Sequence, residues 1–357
     1  MAERGGGVKT WTLDARRLKP DRAGMTDPIA LHRSLLIVDT HIDIPWPDGP
    51  SFFEDTRRRV DLPKMQRGGM SAGCFAAYVP QGPRTPDGNA AAFARVIAML
   101  DAINGMGRNG ARVCSSVAAI EQAKRDGVTA VVPAVENGHA LGGDPTRLRA
   151  FRDRGARYLT ITHNGHNALA DSSNPRTDLG DKEDEHGGLS AFGHVVIAEL
   201  NRLGMLVDVA HVSKMSMMQA AASSRSPVLT THSCIRALAD NPRNIDDEQL
   251  DALRDVGGVV QITAVAHFLR SGKKPDEVTV ADYVDHVDYA VKRIGLEHVG
   301  MSSDFDGGGG FSGWRDAGES ANLTAELVRR GYGAAEIAAL WGGNFLRLLK
   351  RAEALAE

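Results

Sequence analysis

Three observations predict an α/β fold of the (β/α)8 TIM-barrel type. Eight short apolar runs recur along the chain, segments of helical periodicity separate them, and almost every run ends in an acid or an imidazole. Runs without inside/outside alternation suit strands covered on both faces. Strand–helix alternation sustained over 357 residues makes a parallel barrel. A doubly wound open sheet would gather its polar groups at one switch point; here they follow nearly every strand.

The first run, LLIVDTHID at 35–43, ends in His41 and Asp43. Strand period places both on one side, an imidazole and a carboxylate held together as half of a divalent-metal site. The second run (71–80) and the seventh (257–265) end without either group. The third (128–137) ends at Glu136, and the fourth (156–164) at His163, with His166 close by. The fifth (204–213) ends at His211, the sixth (226–233) at His232, and the eighth (298–308) at Asp304, with Asp306 two residues on. Helical spacing marks 90–104, 191–204, 246–257 and 279–295, with Gly204 as a C-cap. It also marks 144–155, where Asp144 is the expected N-cap and Pro145 the first helical residue. The polar stretch 171–188 is expected to form a rim or lid of the barrel mouth. Residues 1–30 read as a lead-in and 31–357 as one catalytic barrel domain.

Composition excludes several classes. Lys and Arg total 42 against 45 Asp and Glu, a formal charge of −3, so no basic field points to nucleic acid. No apolar run reaches the length of a membrane span. The N-terminal stretch lacks the apolar core of a signal peptide. Cys74, Cys114 and Cys234 form no CxxC pair, which argues against a disulfide framework or a thiolate zinc site and fits a reducing cytoplasm.

In such a barrel the strands' C-terminal ends build the active site. Four imidazoles and several carboxylates crowded there would repel one another and retain protons unless cations compensate. Without thiolates, the donor set points to Zn2+, Mn2+ or Fe2+. Five ligands around a central acid suggest two metals, which would activate a bridging water toward a carbonyl or phosphoryl centre. A single histidine is more often structural, and His32, His186, His194, His286 and His298 read that way. Three motifs are decoys. GMSAG at 69–73 matches a nucleophile elbow but precedes a strand, so Ser71 is structural. GMGRNG at 105–110 follows a helix, against dinucleotide binding. The run Gly307–Gly310 reads as a flexible loop admitting substrate rather than as a phosphate cradle.

The pieces DTHIDIPW (39–46), VENGHAL (135–141), LTITHNGHNALADS (159–172), VDVAHVS (207–213), THS (231–233), PRNIDDEQL (242–250), SDFDGG (303–308) and GGNFLR (342–347) occur in one order along the chain. Together they resemble the zinc-dependent membrane (renal) dipeptidase family, within the amidohydrolase-like metallo-hydrolase barrels. The resemblance implies two zinc ions, one held by His41, Asp43 and Glu136, the other by Glu136, His211 and His232, with Glu136 as bridge. It implies that His163 faces substrate and stabilises the developing oxyanion. Arg243 would pair with the substrate's free carboxylate, and Asp304 would bind near the amine and relay protons. The implied activity is hydrolysis of dipeptides, L-L and L-D, by a hydroxide bridging the metals. From the residues alone, Arg243 reads as a surface arginine at the helix start Asp246/Asp247. Membrane-anchored members carry a signal peptide and a lipid-anchor signal, which neither end of this sequence resembles. A cytoplasmic protein with a small dipeptide as partner, and neither membrane nor nucleic acid, is therefore expected; a homodimer stays open. The alternatives are a related barrel hydrolase acting on acylated amino acids, lactones or phosphotriesters, and a non-catalytic binding barrel.

Overall fold

The computed structural model describes residues 27–357, so most of the expected lead-in lies outside the described residues. A helix, Pro28–Ser34, is capped by Asp27 and leads into the first strand. Among the described residues nine strands follow: β1 (Val38–Asp43), β2 (Ala72–Tyr78), β3 (Ala111–Val113), β4 (Thr129–Glu136), β5 (Tyr158–Thr160), β6 (Leu206–Asp208), β7 (Leu229–Ser233), β8 (Val259–Ile262) and β9 (Val299–Met301). All pairings are parallel, in the order β1-β2-β4-β5-β6-β7-β8-β9. The ring closes beyond β9, where Asp43 N–H donates to the Phe305 carbonyl at 2.9 Å and Asp304 N–H to the His41 carbonyl at 3.0 Å. This is the eight-stranded barrel that the strand–helix alternation demands.

The ninth strand corrects the expected count. β3 pairs with β4 only at Thr129–Val131, while β5 pairs with β4 only at Val135 and Glu136. β5 is too short to cover the lower half of β4, and three residues after the 105–110 turn fill that edge. The helices follow the expected segments with altered ends. Pro86–Asn104 starts earlier than its periodicity, because Thr85 caps it and Pro86 occupies its first turn. Ala191–Arg202 ends with Leu203 as C-cap, and Gly204 (φ 65°) is the left-handed residue beyond it. The expected Asp144/Pro145 start is displaced. Asp144 accepts from the Thr146 amide and hydroxyl in a turn, and the helix begins at Arg147. Asp246 and Gln249 form a reciprocal capping box for Asp247–Asp255, and Thr279 caps Val280–Ile294.

Ala, Val, Leu and Ile side chains fill both faces of the strands, as buried parallel strands require. The last helix, Asn344–Ala354, closes the barrel's N-terminal end. A Cβ on Gly342 would lie 2.7 Å from Val38 Cγ2, so the GGNFLR segment can approach β1 only with glycine there. Asn344 donates to the carbonyls of Leu296 and Val299, both at 2.7 Å. Among the described residues no helix is long and apolar enough to cross a membrane.

Candidate active site

The C-terminal ends of the strands surround a cavity lined by Asp43, Glu136, His163, His211, His232, Arg243 and Asp304, among others. Every site residue expected from sequence is therefore at one mouth, save His41, which lies just beneath its floor. Glu136 is the hub. Its Oε2 stands 3.4 Å from His41 Nε2, and its Oε1 stands 3.2 Å from His211 Nε2, 3.6 Å from His232 Nε2 and 4.0 Å from His163 Nε2. Three donor groups are compact enough to hold a cation: His41/Glu136/His232, Glu136/His163/His211 and His41/Asp43/Asp304. The grouping differs in detail from the expected ligand sets. His163 shares a group with Glu136 and His211, and Asp304 shares one with His41 and Asp43.

The neighbours of two ligating-type histidines fix their tautomers. Tyr158 donates its hydroxyl to the Thr40 carbonyl at 3.0 Å, so it can only accept from His41 Nδ1–H, also at 3.0 Å. Thr231 donates to Asp208 Oδ2 at 2.7 Å and so accepts from His232 Nδ1–H at 2.8 Å. Asp208 is itself anchored by Thr160 Oγ1 (2.5 Å) and by the amides of Ala210 and Thr231. When neutral, both rings turn the Nε2 lone pair toward Glu136, which is how a second layer of hydrogen bonds prepares a metal ligand.

Charge and strain concentrate here. Burial, reinforced by Glu136, pushes the Asp304 carboxyl up to about 7. Asp43 is also raised by burial and by Glu136. Burial opposes a charge on His41, yet Glu136, Asp43 and Asp304 together raise it to about 10. Burial lowers His163 to about 4. His41 Nε2, Asp43 Oδ1 and His211 Nδ1 are buried without a hydrogen-bond partner. Such orphans are costly unless something absent supplies the partner. Asn137, His211, Asp304 and Asp306 adopt positive φ values of 83°, 66°, 59° and 63°. Non-glycine residues held there carry strain that collects at functional sites.

Arg243 is not the surface residue that its sequence context suggests. It is 4% exposed, its Nη2 donates to the His232 carbonyl at 3.4 Å, and its Nε has no partner. Its guanidinium lies over the Phe268 ring, 5.4 Å from the centroid. Burial lowers it to about 10 against the attraction of Asp304 and Glu136, and among the described residues it forms no ion pair. A buried arginine facing a cavity without an acid partner awaits an anion.

Other expectations resolve as follows. His166 accepts from Ser172 N–H at Nδ1 and donates to the Lys182 carbonyl from Nε2, so it shapes the 171–188 segment instead of joining the cluster. That segment is a pinned rim: Asp171 accepts from the amides of Glu185, His186 and Gly188, and Asn174 lines the cavity. Asp306 accepts from Arg59 N–H and holds a neighbouring loop. Gly307–Gly310 is a tight turn and not the flexible loop expected. The amides of Gly307, Gly308 and Gly309 all donate to the Asp304 carbonyl, and Gly310 donates to Ala264. Those amides are spent, so they cradle no phosphate; a Cβ on Gly307 would sit 1.9 Å from Asp43 Oδ2. Ser71 lies at the far end of β2, receiving Lys124 Nζ at 3.0 Å. Tyr78, Arg95, Asn164, Asn241 and His267 line the cavity and were not legible as site residues. Tyr78 alone had a signal, since β2 register sets it opposite Glu136.

The family profile described as "Membrane dipeptidase (Peptidase family M19)" matches residues 26–357. The chain belongs to the membrane dipeptidase family. Within that family it is 32% identical over 307 residues to "Dipeptidase aclJ" of Aspergillus oryzae, covering 84% of this chain and 71% of that one. It is 31% identical over 350 residues to "Dipeptidase 3" of Rattus norvegicus, covering 92% and 67%. Among solved structures it is similar to the probable dipeptidase PvdM from Pseudomonas aeruginosa, with a TM-score of 0.87, 31% identity, and 92% and 98% of the two chains covered. It is also similar to a metallo peptidase from Rhodobacter sphaeroides liganded with a phosphinate mimic of L-Ala-D-Ala, with a TM-score of 0.78, 25% identity, and 89% and 99% covered. As a member of the membrane dipeptidase family, the chain is a hydrolase.

Proposed function

We propose that residues 31–357 act as one catalytic domain, a dizinc dipeptidase that cleaves the single peptide bond of small dipeptides with a free C-terminal carboxylate. The observation that carries this reading is the pairing, across one cavity, of the Glu136-centred donor cluster with the Arg243 guanidinium, whose Nε has no partner. The donors fit two divalent cations. His41, Asp43 and Glu136 would hold one and Glu136, His211 and His232 the other, while the orphaned nitrogens and the surplus of buried carboxylate both call for positive charge. When bound, the zinc pair would supply Lewis acidity at the scissile carbonyl and lower the pKa of the attacking water.

The chain's own residues supply the rest. Arg243 presents a planar donor fork to the C-terminal carboxylate and so fixes the register of the bond over the cluster. His163, whose side chain is 21% exposed while that of His41 is 0%, is the imidazole best placed to meet the substrate's carbonyl oxygen. Asp304 borders the donor cluster and the cavity, where it can take a proton from water and deliver it to the leaving nitrogen. The turn Gly307–Gly310 holds Asp304 through three amides on its carbonyl. Dipeptides of both L-L and L-D configuration are the proposed substrates, the latter in keeping with the mimic bound by the Rhodobacter sphaeroides relative. The test is turnover of a dipeptide panel by zinc-loaded protein. Hydrolysis of free dipeptides but not of their C-terminal amides is expected; cleavage of lactones or acylated amino acids without any dipeptide turnover would reject the reading.

A further inference from the structure

A second guanidinium faces the cavity. Arg95, on Pro86–Asn104, is half-buried, and its Nε donates to the carbonyl of Tyr78, the last residue of β2, at 3.2 Å. Among the described residues its two Nη groups make no hydrogen bond and meet no carboxylate within ion-pair reach, while it lines the same cavity as Glu136 and Arg243. Arg176 and Arg84, by contrast, are paired with Asp178 and Glu185.

The barrel order fixes where these two cations stand. β2 is second in the ring of eight and β7, whose His232 carbonyl anchors Arg243, is sixth. Three strands separate them in either direction, so they occupy opposite walls with the donor cluster between. A dipeptide held at its C-terminal carboxylate by Arg243, with its scissile bond over Glu136, must extend its first residue toward the β2 wall. The carboxylates that line the cavity, Asp43, Glu136, Asp304 and Asp306, lie on β1, on β4 and in the turn after β9; β1 and β4 flank β2, yet none of these carboxylates forms an ion pair with Arg95.

We infer that Arg95 is a specificity-determining residue that binds an acidic side chain on the substrate's N-terminal residue, making dipeptides that begin with Asp or Glu the favoured class. Tyr78 adds a polar group to that wall, and Asn174 lines the cavity from the 171–188 rim. A charge-assisted pair formed to a partly desolvated guanidinium gives about a tenfold preference or more. This subsite rests on the dipeptidase reading for its orientation, but its recognition is separable from turnover.

The test compares Glu-Ala with its neutral isostere Gln-Ala on the zinc-loaded full chain, by kcat/KM and by calorimetric binding of the matching non-hydrolysable reduced-amide analogues. The expected result is about a tenfold or greater preference for the glutamyl compound in both readouts. That preference should fall to near one in Arg95→Leu and survive in part in Arg95→Lys. Turnover of both dipeptides with equal kcat/KM would overturn the subsite while leaving the dipeptidase standing. Tighter binding of the glutamyl analogue, lost in Arg95→Leu, without turnover of any dipeptide would keep the subsite and overturn the activity. A preference that persists in Arg95→Leu would also overturn the inference.

Discussion

Two sets of buried imidazoles share this chain and differ in one respect. Two buried imidazoles outside the barrel mouth have both ring nitrogens engaged: His32 meets Thr324 Oγ1 at 2.6 Å and the Gly68 carbonyl at 2.8 Å. His286 accepts from Ile235 N–H and donates to the Leu269 carbonyl, both at 3.0 Å. At the mouth, His41 and His211 each leave a buried nitrogen without a partner, and His211 Nε2 and His232 Nε2 face each other at 2.8 Å. The first set is finished by the protein; the second is finished only by something that accepts several lone pairs at once. Burial alone does not distinguish them, since all five residues are buried. The accounting of ring nitrogens does.

Removing the hub should do the most damage to the second set. Glu136→Gln is expected to abolish stoichiometric zinc binding, read by elemental analysis, and to lower dipeptide kcat/KM by roughly 1,000-fold. That is about 4 kcal/mol of lost Lewis-acid stabilisation. Thermal melts should show the fold intact, because Glu136 supports the donor cluster and not the core.

The first set should reveal itself in acid. Burial pushes His32 and His286 from 6.5 down to about 4. Between those values the unfolded chain takes up protons that the folded chain refuses, so stability falls as pH falls from 6.5 toward 4. The loss is about 3 kcal/mol for each ring. Urea melts in chelator across that range should slope downward with acid, and His286→Gln should give a flatter curve than wild type. Parallel curves would show that His286 is charged when folded.

Arg243→Ala comes next. It should raise KM about 100-fold for dipeptides with a free carboxylate and leave the weak inhibition by their C-terminal amides little changed, as expected for about 3 kcal/mol from a buried charge-assisted pair. The smallest effect is expected one layer out. Thr231→Val removes the acceptor that orients His232 and should weaken zinc binding by about tenfold in chelator competition, with little change in melting temperature. An unaltered zinc affinity would mean that His232 needs no such support.

Much of this was visible in the chain. The eight runs, their order and the acid or imidazole at six of their ends carried the barrel and the position of the cluster, because parallel strands place their C-terminal ends together whatever the loops do. β3 was not legible: three residues with an exposed Arg112 carry no periodicity to read. Tyr78 and Arg95 escaped because neither looks like a metal ligand, and only the ring shows which helix residue faces the mouth. Asp208 and Thr231 stand three and one residues before His211 and His232, yet their donor and acceptor roles emerge only with Thr160 and Tyr158 brought alongside. Arg243 was misread from local sequence, since the nearby helix start is capped by Asp246 and needs no arginine.

The most direct test is anomalous diffraction at the zinc edge from crystals of the zinc-loaded protein. Two peaks are expected, both coordinated by Glu136, with His41 and Asp43 on one side and His211 and His232 on the other. A single peak, or zinc bound away from Glu136, would contradict the account.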